Sequence, residues 1–117
     1  MKKKITLSIF EIVESPFCVA SDDGQKVYRR ITTGLKEDAD ITISFLNVSS
    51  LTAAFLNTAI GKLYGNFGED QIRSRLTIRD MHPDDLALLK RVVDTAKEYF
   101  KDPERFKKAE RAASRDS

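Results

Sequence analysis

Side chains able to do chemistry are few. His82 is the single histidine and Cys18 the single cysteine. A Ser-His-Asp or Cys-His device would have to rest on His82 alone, and no nucleophile-elbow pattern accompanies it. Cys18 has no base beside it in the sequence and reads as a small buried hydrophobe. His82 precedes Pro83 at a helix start, where capping is the expected role. Asp84 and Asp85 are adjacent, so on a helix they point about 100° apart and share a metal poorly. Their place is the positive end of a helix dipole. Gly61-Lys62 lacks the upstream glycine and the hydroxyl residue of a phosphate-cradling loop. Gly65-Asn66-Phe67-Gly68 has the spacing of a KH loop, but a helix stop followed by a turn explains those glycines more simply. This inventory predicts no enzyme, no metal site and no cofactor.

What remains is a cluster of hydroxyls. Ser49, Ser50 and Thr52 lie between an apolar strand and an apolar helix. Free amides and the dipole at such a junction favour an anion, either a bound phosphate or a phosphorylated side chain. Phosphorylation would add about −1.5 to −2 charges at one point and could remodel a docking face. The plainer role is that one of these hydroxyls caps the helix.

The elements that position this cluster can be read from periodicity. Residues 4 to 13 alternate, with Ile5, Leu7 and Ile9 opposite Thr6, Ser8 and Phe10, and predict a strand that Ser15-Pro16 breaks. Residues 21 to 36 predict a helix: Ser21 as N-cap, Asp22 and Asp23 in the first turn, and Val27, Ile31 and Leu35 every fourth residue. Gly24 and Gly34 weaken it. A rival is a hairpin turning at Asp23-Gly24, with Phe17 to Ala20 and Lys26 to Tyr28 as arms. Residues 40 to 46 predict a second strand, in which Thr42 and Ser44 suit a covered face. Leu51 to Tyr64 predicts one helix, with Leu56, Ala59, Ile60 and Leu63 buried and Phe55 and Tyr64 flanking. Arg75 to Asp80 predicts a third strand. Pro83 opens a last helix through Leu86, Leu89, Val93, Ala96 and Phe100, which Asp102-Pro103 ends or kinks, and Glu104 to Ala113 reads as a polar helical extension. Strand and helix alternate three times, the pattern of an α/β layer with a mostly parallel sheet.

The chain has 117 residues, 41% of them hydrophobic and 32% charged. That is room for one domain with a core of its own. We divide it into a domain over residues 1–101 and a charged tail over residues 102–117. A lone cysteine forms no internal disulfide, which fits a reducing, cytoplasmic setting. No run approaches the ~18 apolar residues of a membrane helix. Lys2, Lys3 and Lys4 resemble the start of a signal peptide, but Thr6, Ser8 and Glu11 interrupt any apolar stretch behind them. Residues 101 to 117 carry six basic and four acidic groups, and so supply the whole net charge of +2. With three lysines at the start, the body is mildly acidic. Basic ends on an acidic body make a poor nucleic-acid footprint, and solubilising termini explain them.

The run from Ile43 through Asn47-Val48-Ser49-Ser50-Leu51-Thr52-Ala53-Ala54-Phe55-Leu56-Asn57 to Ala59-Ile60-Gly61-Lys62-Leu63-Tyr64 resembles the bacterial family of STAS-like domains of unknown function. That family is similar in turn to anti-sigma factor antagonists. Asp23-Gly24-Gln25-Lys26-Val27 and Arg75-Leu76-Thr77-Ile78 sit where the family has its first helix and next strand, so the likeness spans roughly residues 15 to 100. It implies an α/β STAS-like fold, a small mostly parallel or mixed sheet with helices packed against it. In phosphoswitch antagonists an Asp-Ser-Ser-Gly segment begins the second helix, and a kinase with a histidine-kinase-like ATPase fold phosphorylates its first serine. Setting Phe55 under that glycine puts Thr52 at the aspartate, Ala53 at the acceptor and Ala54 at the next serine. The usual phosphoserine is therefore absent, and either the switch is lost or Ser49, Ser50 or Thr52 replaces it. Loss is the reading adopted here.

The resemblance thus implies docking. The expectation is a non-enzymatic interaction module that regulates a partner, with a histidine-kinase-like ATPase first among partners. Ser49, Ser50, Thr52 and Asn57 are expected at the binding surface, with Asp22 and Asp23 as neighbours. The alternative is a small-ligand domain, holding a nucleotide or anion at the helix start between Ser49 and Thr52.

Overall fold

The computed structural model describes residues 3–101. Lys2, the tail over residues 102–117, the stop at Asp102-Pro103 and the extension from Glu104 lie outside the described residues. Among the described residues, five strands and five α-helices are β1 (Lys4–Ser8), α1 (Ile9–Val13), β2 (Phe17–Cys18), α2 (Ser21–Lys36), β3 (Asp40–Ser44), β4 (Ser50–Leu51), α3 (Ala53–Ala59), α4 (Glu69–Arg75), β5 (Leu76–Arg79) and α5 (Pro83–Lys101). A short 3₁₀ helix, Gly61–Gly65, joins α3 to α4.

β1, β3 and β5 form one parallel sheet in that order, and β2 pairs with β4 in a second, two-stranded parallel sheet. The register sets Ile5, Ile41 and Leu76 side by side, then Leu7, Ile43 and Ile78. These apolar rows make the core face. Ile41 and Ile43 on the central strand are buried, while Ile5, Leu76 and Ile78 on the flanking strands are partly covered. The opposite face carries Thr6, Thr42 and Thr77 in one row and Ser8, Ser44 and Arg79 in the next. Thr6 and Thr77 are exposed, and Thr42 and Ser44 are half-buried. The covered face expected for Thr42 and Ser44 is therefore an open one. Parallel crossovers are right-handed, and two that step the same way lay their helices on the same side.

The first predicted strand is shorter than expected. Ser8 stops it by turning its hydroxyl to the Glu11 amide at 3.2 Å and capping α1. Ile9 and Val13, four apart, then point into the core, and Glu14 ends the turn in the left-handed region at φ 60°. α2 has the predicted bounds, but its N-cap is Ala20, with no side-chain cap, in place of Ser21. The hairpin alternative fails: Phe17 and Cys18 pair with Ser50 and Leu51, and Lys26 to Tyr28 lie inside α2. The helix predicted over 51 to 64 divides, since Ser50–Leu51 is a strand, α3 ends at Ala59, and Gly61–Gly65 tightens to 3₁₀. Phe55, expected on the flank, is fully buried.

α2 ties the layers together through its two glycines. A Cβ on Gly24 would lie 2.7 Å from the Phe55 carbonyl oxygen and 3.0 Å from Thr58 Cβ. A Cβ on Gly34 would lie 2.7 Å from Ile41 Cδ1. One end of α2 thus presses on α3 and the other on the sheet. Replacing Gly by Ala in a free helix gains up to about 1 kcal/mol. Here the obstacle beside Gly24 is backbone, which cannot turn aside. Gly24→Ala is expected to destabilise the fold by about 1–3 kcal/mol in urea unfolding, and a neutral or stabilising result would refute this packing.

Candidate functional site

β4 delivers the chain to α3 through Thr52, whose hydroxyl accepts the Phe55 amide at 3.2 Å and donates to the Val19 carbonyl at 2.9 Å. The Thr52 amide in turn donates to Cys18 O at 3.2 Å. This residue caps α3 and fastens it to β2, so both sides of its hydroxyl are occupied. Ser49 is exposed, and its amide donates to Pro16 O at 2.8 Å; the Ser50 amide reaches the same oxygen at 3.2 Å. Neither serine caps the helix.

Past the cap, Ala53, Ala54 and Asn57 are exposed, while Phe55, Leu56 and Ala59 are buried. The exposed three face α5. With Leu88, Arg91, Val92 and Thr95 they line a groove of about 440 Å³. A second hollow of about 440 Å³ continues it, over Asn57, Lys62, Thr95, Ala96, Tyr99 and Phe100. Asn57 and Thr95 belong to both. The Lys62 ammonium leans away, donating to Gln25 Oε1 at 3.2 Å and lying 5.9 Å from the Tyr28 ring centre. Arg91 forms no ion pair among the described residues.

The predicted site residues divide into separate places. Asn57 enters the α3–α5 groove. Thr52 stands at its head as a structural cap. Ser49 lines a different cleft of about 640 Å³ at the carboxyl ends of β3 and β5, with Asn47, Asp80 and His82. There Ser44 donates to Asp80 at 2.8 Å. Asp22 and Asp23 stand in the first turn of α2 and line neither the groove nor this cleft. Asp23 is 3.4 Å from Lys26. Sequence reasoning missed Leu88, Arg91, Val92 and Thr95, because nothing local tells which helix lies beside α3.

The remaining chemical groups are dispersed. Cys18 is buried, and burial with the nearby Asp23 charge pushes its thiol up to about 11, away from the reactive thiolate. His82 offers its carbonyl to the Leu86 amide at 2.9 Å, opening α5 as the sequence suggested. Among the described residues no group of three or more His, Cys, Asp or Glu side chains could hold a metal. At the other end of the groove, Glu69 pairs with Lys97 of α5 at 2.8 Å, bridging α4 to α5, and with Arg73 of its own helix at 3.0 Å. The Lys97 hydrogen bond holds the Glu69 carboxyl below its ordinary range and raises the Lys97 ammonium.

Two outcomes follow from this geometry. Thr52→Ala should cost about 1 kcal/mol in chemical denaturation, and Thr52→Ser should restore most of it. Iodoacetamide at pH 8 should modify Cys18 only as fast as the fold opens, so labelling at the rate of a free thiol would contradict its burial.

A family model described as a STAS-like domain of unknown function (DUF4325) matches residues 23–86, more than half the chain. The match runs from the first turn of α2 to the first turn of α5, narrower than the span suggested by the sequence likeness. No curated protein and no solved structure matches the chain. Among the described residues no helix is long and apolar enough to cross a membrane. The matched span covers more than half of the sequence and runs through the α/β layers described above: this chain belongs to the family of STAS-like domains of unknown function.

Proposed function

We propose that this protein is a cytoplasmic, non-enzymatic regulatory module that works by docking a protein partner on the exposed start of α3. One observation carries the reading. β4 hands the chain to α3 so that Ala53, Ala54 and Asn57 face solvent at the head of a groove, while the same helix buries Phe55, Leu56 and Ala59. Small side chains at an exposed helix start let another surface approach closely. Likeness of the family to anti-sigma factor antagonists makes a histidine-kinase-like ATPase the first partner to test. In this reading the partner recognises shape at Ala53 and Ala54, where the antagonists carry a phosphorylated serine, so binding is not gated by phosphate at those positions.

An anion or nucleotide held at this helix start has less in its favour. α3 has seven residues, and Thr52 already takes the Phe55 amide that such a ligand would need.

The test is co-expression with the histidine-kinase-like ATPase encoded nearest this gene. A stable complex that Ala53→Arg weakens at least about tenfold, with the circular dichroism unchanged, is the expected result. Repeated absence of a complex, or one indifferent to that substitution, would overturn the proposal.

A further inference from the structure

The geometry points to the occupant of the α3–α5 groove: an amphipathic helix of the partner that carries carboxylates beside its apolar stripe. This rests on the docking reading above and names the chemistry of what docks. The two hollows run along α5 from Leu88 to Phe100. Twelve helical steps cover about 18 Å, the length of a partner helix of about twelve residues. The floor is small and apolar, with Ala53, Ala54 and Ala96, so a helix can come close. Tyr99 and Phe100 wall the far end, 36% and 40% exposed, their rings edge to face at 4.9 Å.

Charge selects among helices. No carboxylate lines either hollow. Arg91 lines the first and has no ion partner among the described residues, unlike Lys97, which Glu69 holds. A guanidinium at the rim of an apolar groove matches a carboxylate on the incoming helix and opposes a basic one.

The probe is a pair of fluorescein-labelled helical peptides of about fourteen residues, identical in their leucine stripe, one flanked by glutamates and the other by lysines. Anisotropy against the full chain at low salt should show the glutamate peptide binding at least about tenfold more tightly. Arg91→Glu should erase or reverse the preference, Arg91→Lys should keep most of it, and Ala54→Arg should abolish binding of the glutamate peptide. Binding of neither peptide, equal binding of both, preference for lysine, or indifference to Ala54→Arg would each overturn the inference. The docking proposal fails separately: if Ala54→Arg blocks the glutamate peptide but leaves the ATPase complex intact, the groove stands and its assignment to that partner falls.

Discussion

The close crossing of α2 over α3 at Gly24 is the constraint on which the rest of this fold depends. Where a side chain would stand, the Phe55 carbonyl and the Thr58 Cβ already sit. Such proximity fixes how α3 lies, because backbone meets backbone and leaves little freedom to slide. With α3 fixed, its buried side is set to Phe55, Leu56 and Ala59, and its exposed side to Ala53, Ala54 and Asn57. The other end of α2 rests on Ile41 through Gly34, so the same helix sets the sheet at a defined distance from α3. The two glycines that weaken the helix pattern in the sequence are the places where α2 presses on α3 and on the sheet.

Thr52 completes this arrangement. A single hydroxyl both starts α3 and ties it to Val19, just past β2, while the Thr52 amide reaches Cys18 in β2 itself. The small β2–β4 sheet thereby acts as a clamp at the head of the groove. A residue that holds a joint on three sides is poorly placed to serve as a signalling group as well.

How much of this could be read from residues alone varies with the physical signal. The bounds of α2 were legible, since Val27, Ile31 and Leu35 at four-residue spacing and two aspartates in the first turn outweigh two glycines. β3 and β5 were legible from alternation. α1 was not, because five residues are too few to distinguish a helical from an extended period, although Ser8 followed by Glu11 is a capping-box signature. α4 was missed too, yet Glu69 and Asp70 at its start, Arg73 and Arg75 at its end and the Glu69–Arg73 pair are what a helix dipole favours. Half of the site was legible: the head of α3 follows from local pattern and from family likeness. The α5 wall was not, because helix-to-helix contact is decided by packing far apart in sequence, and Leu88 to Phe100 lie beyond the matched span.

The threonine side of the three-stranded layer has a consequence of its own. Its helical side is filled, so nothing can be added there without displacing a core residue, whereas in the threonine row Thr6 and Thr77 are exposed and Thr42 is half-buried. Parallel layers are ordinarily roofed on both sides. This one has a single direction of growth: an added layer, from a longer terminus or a fused neighbour, has its natural seat on that side and leaves the α3–α5 groove unobstructed.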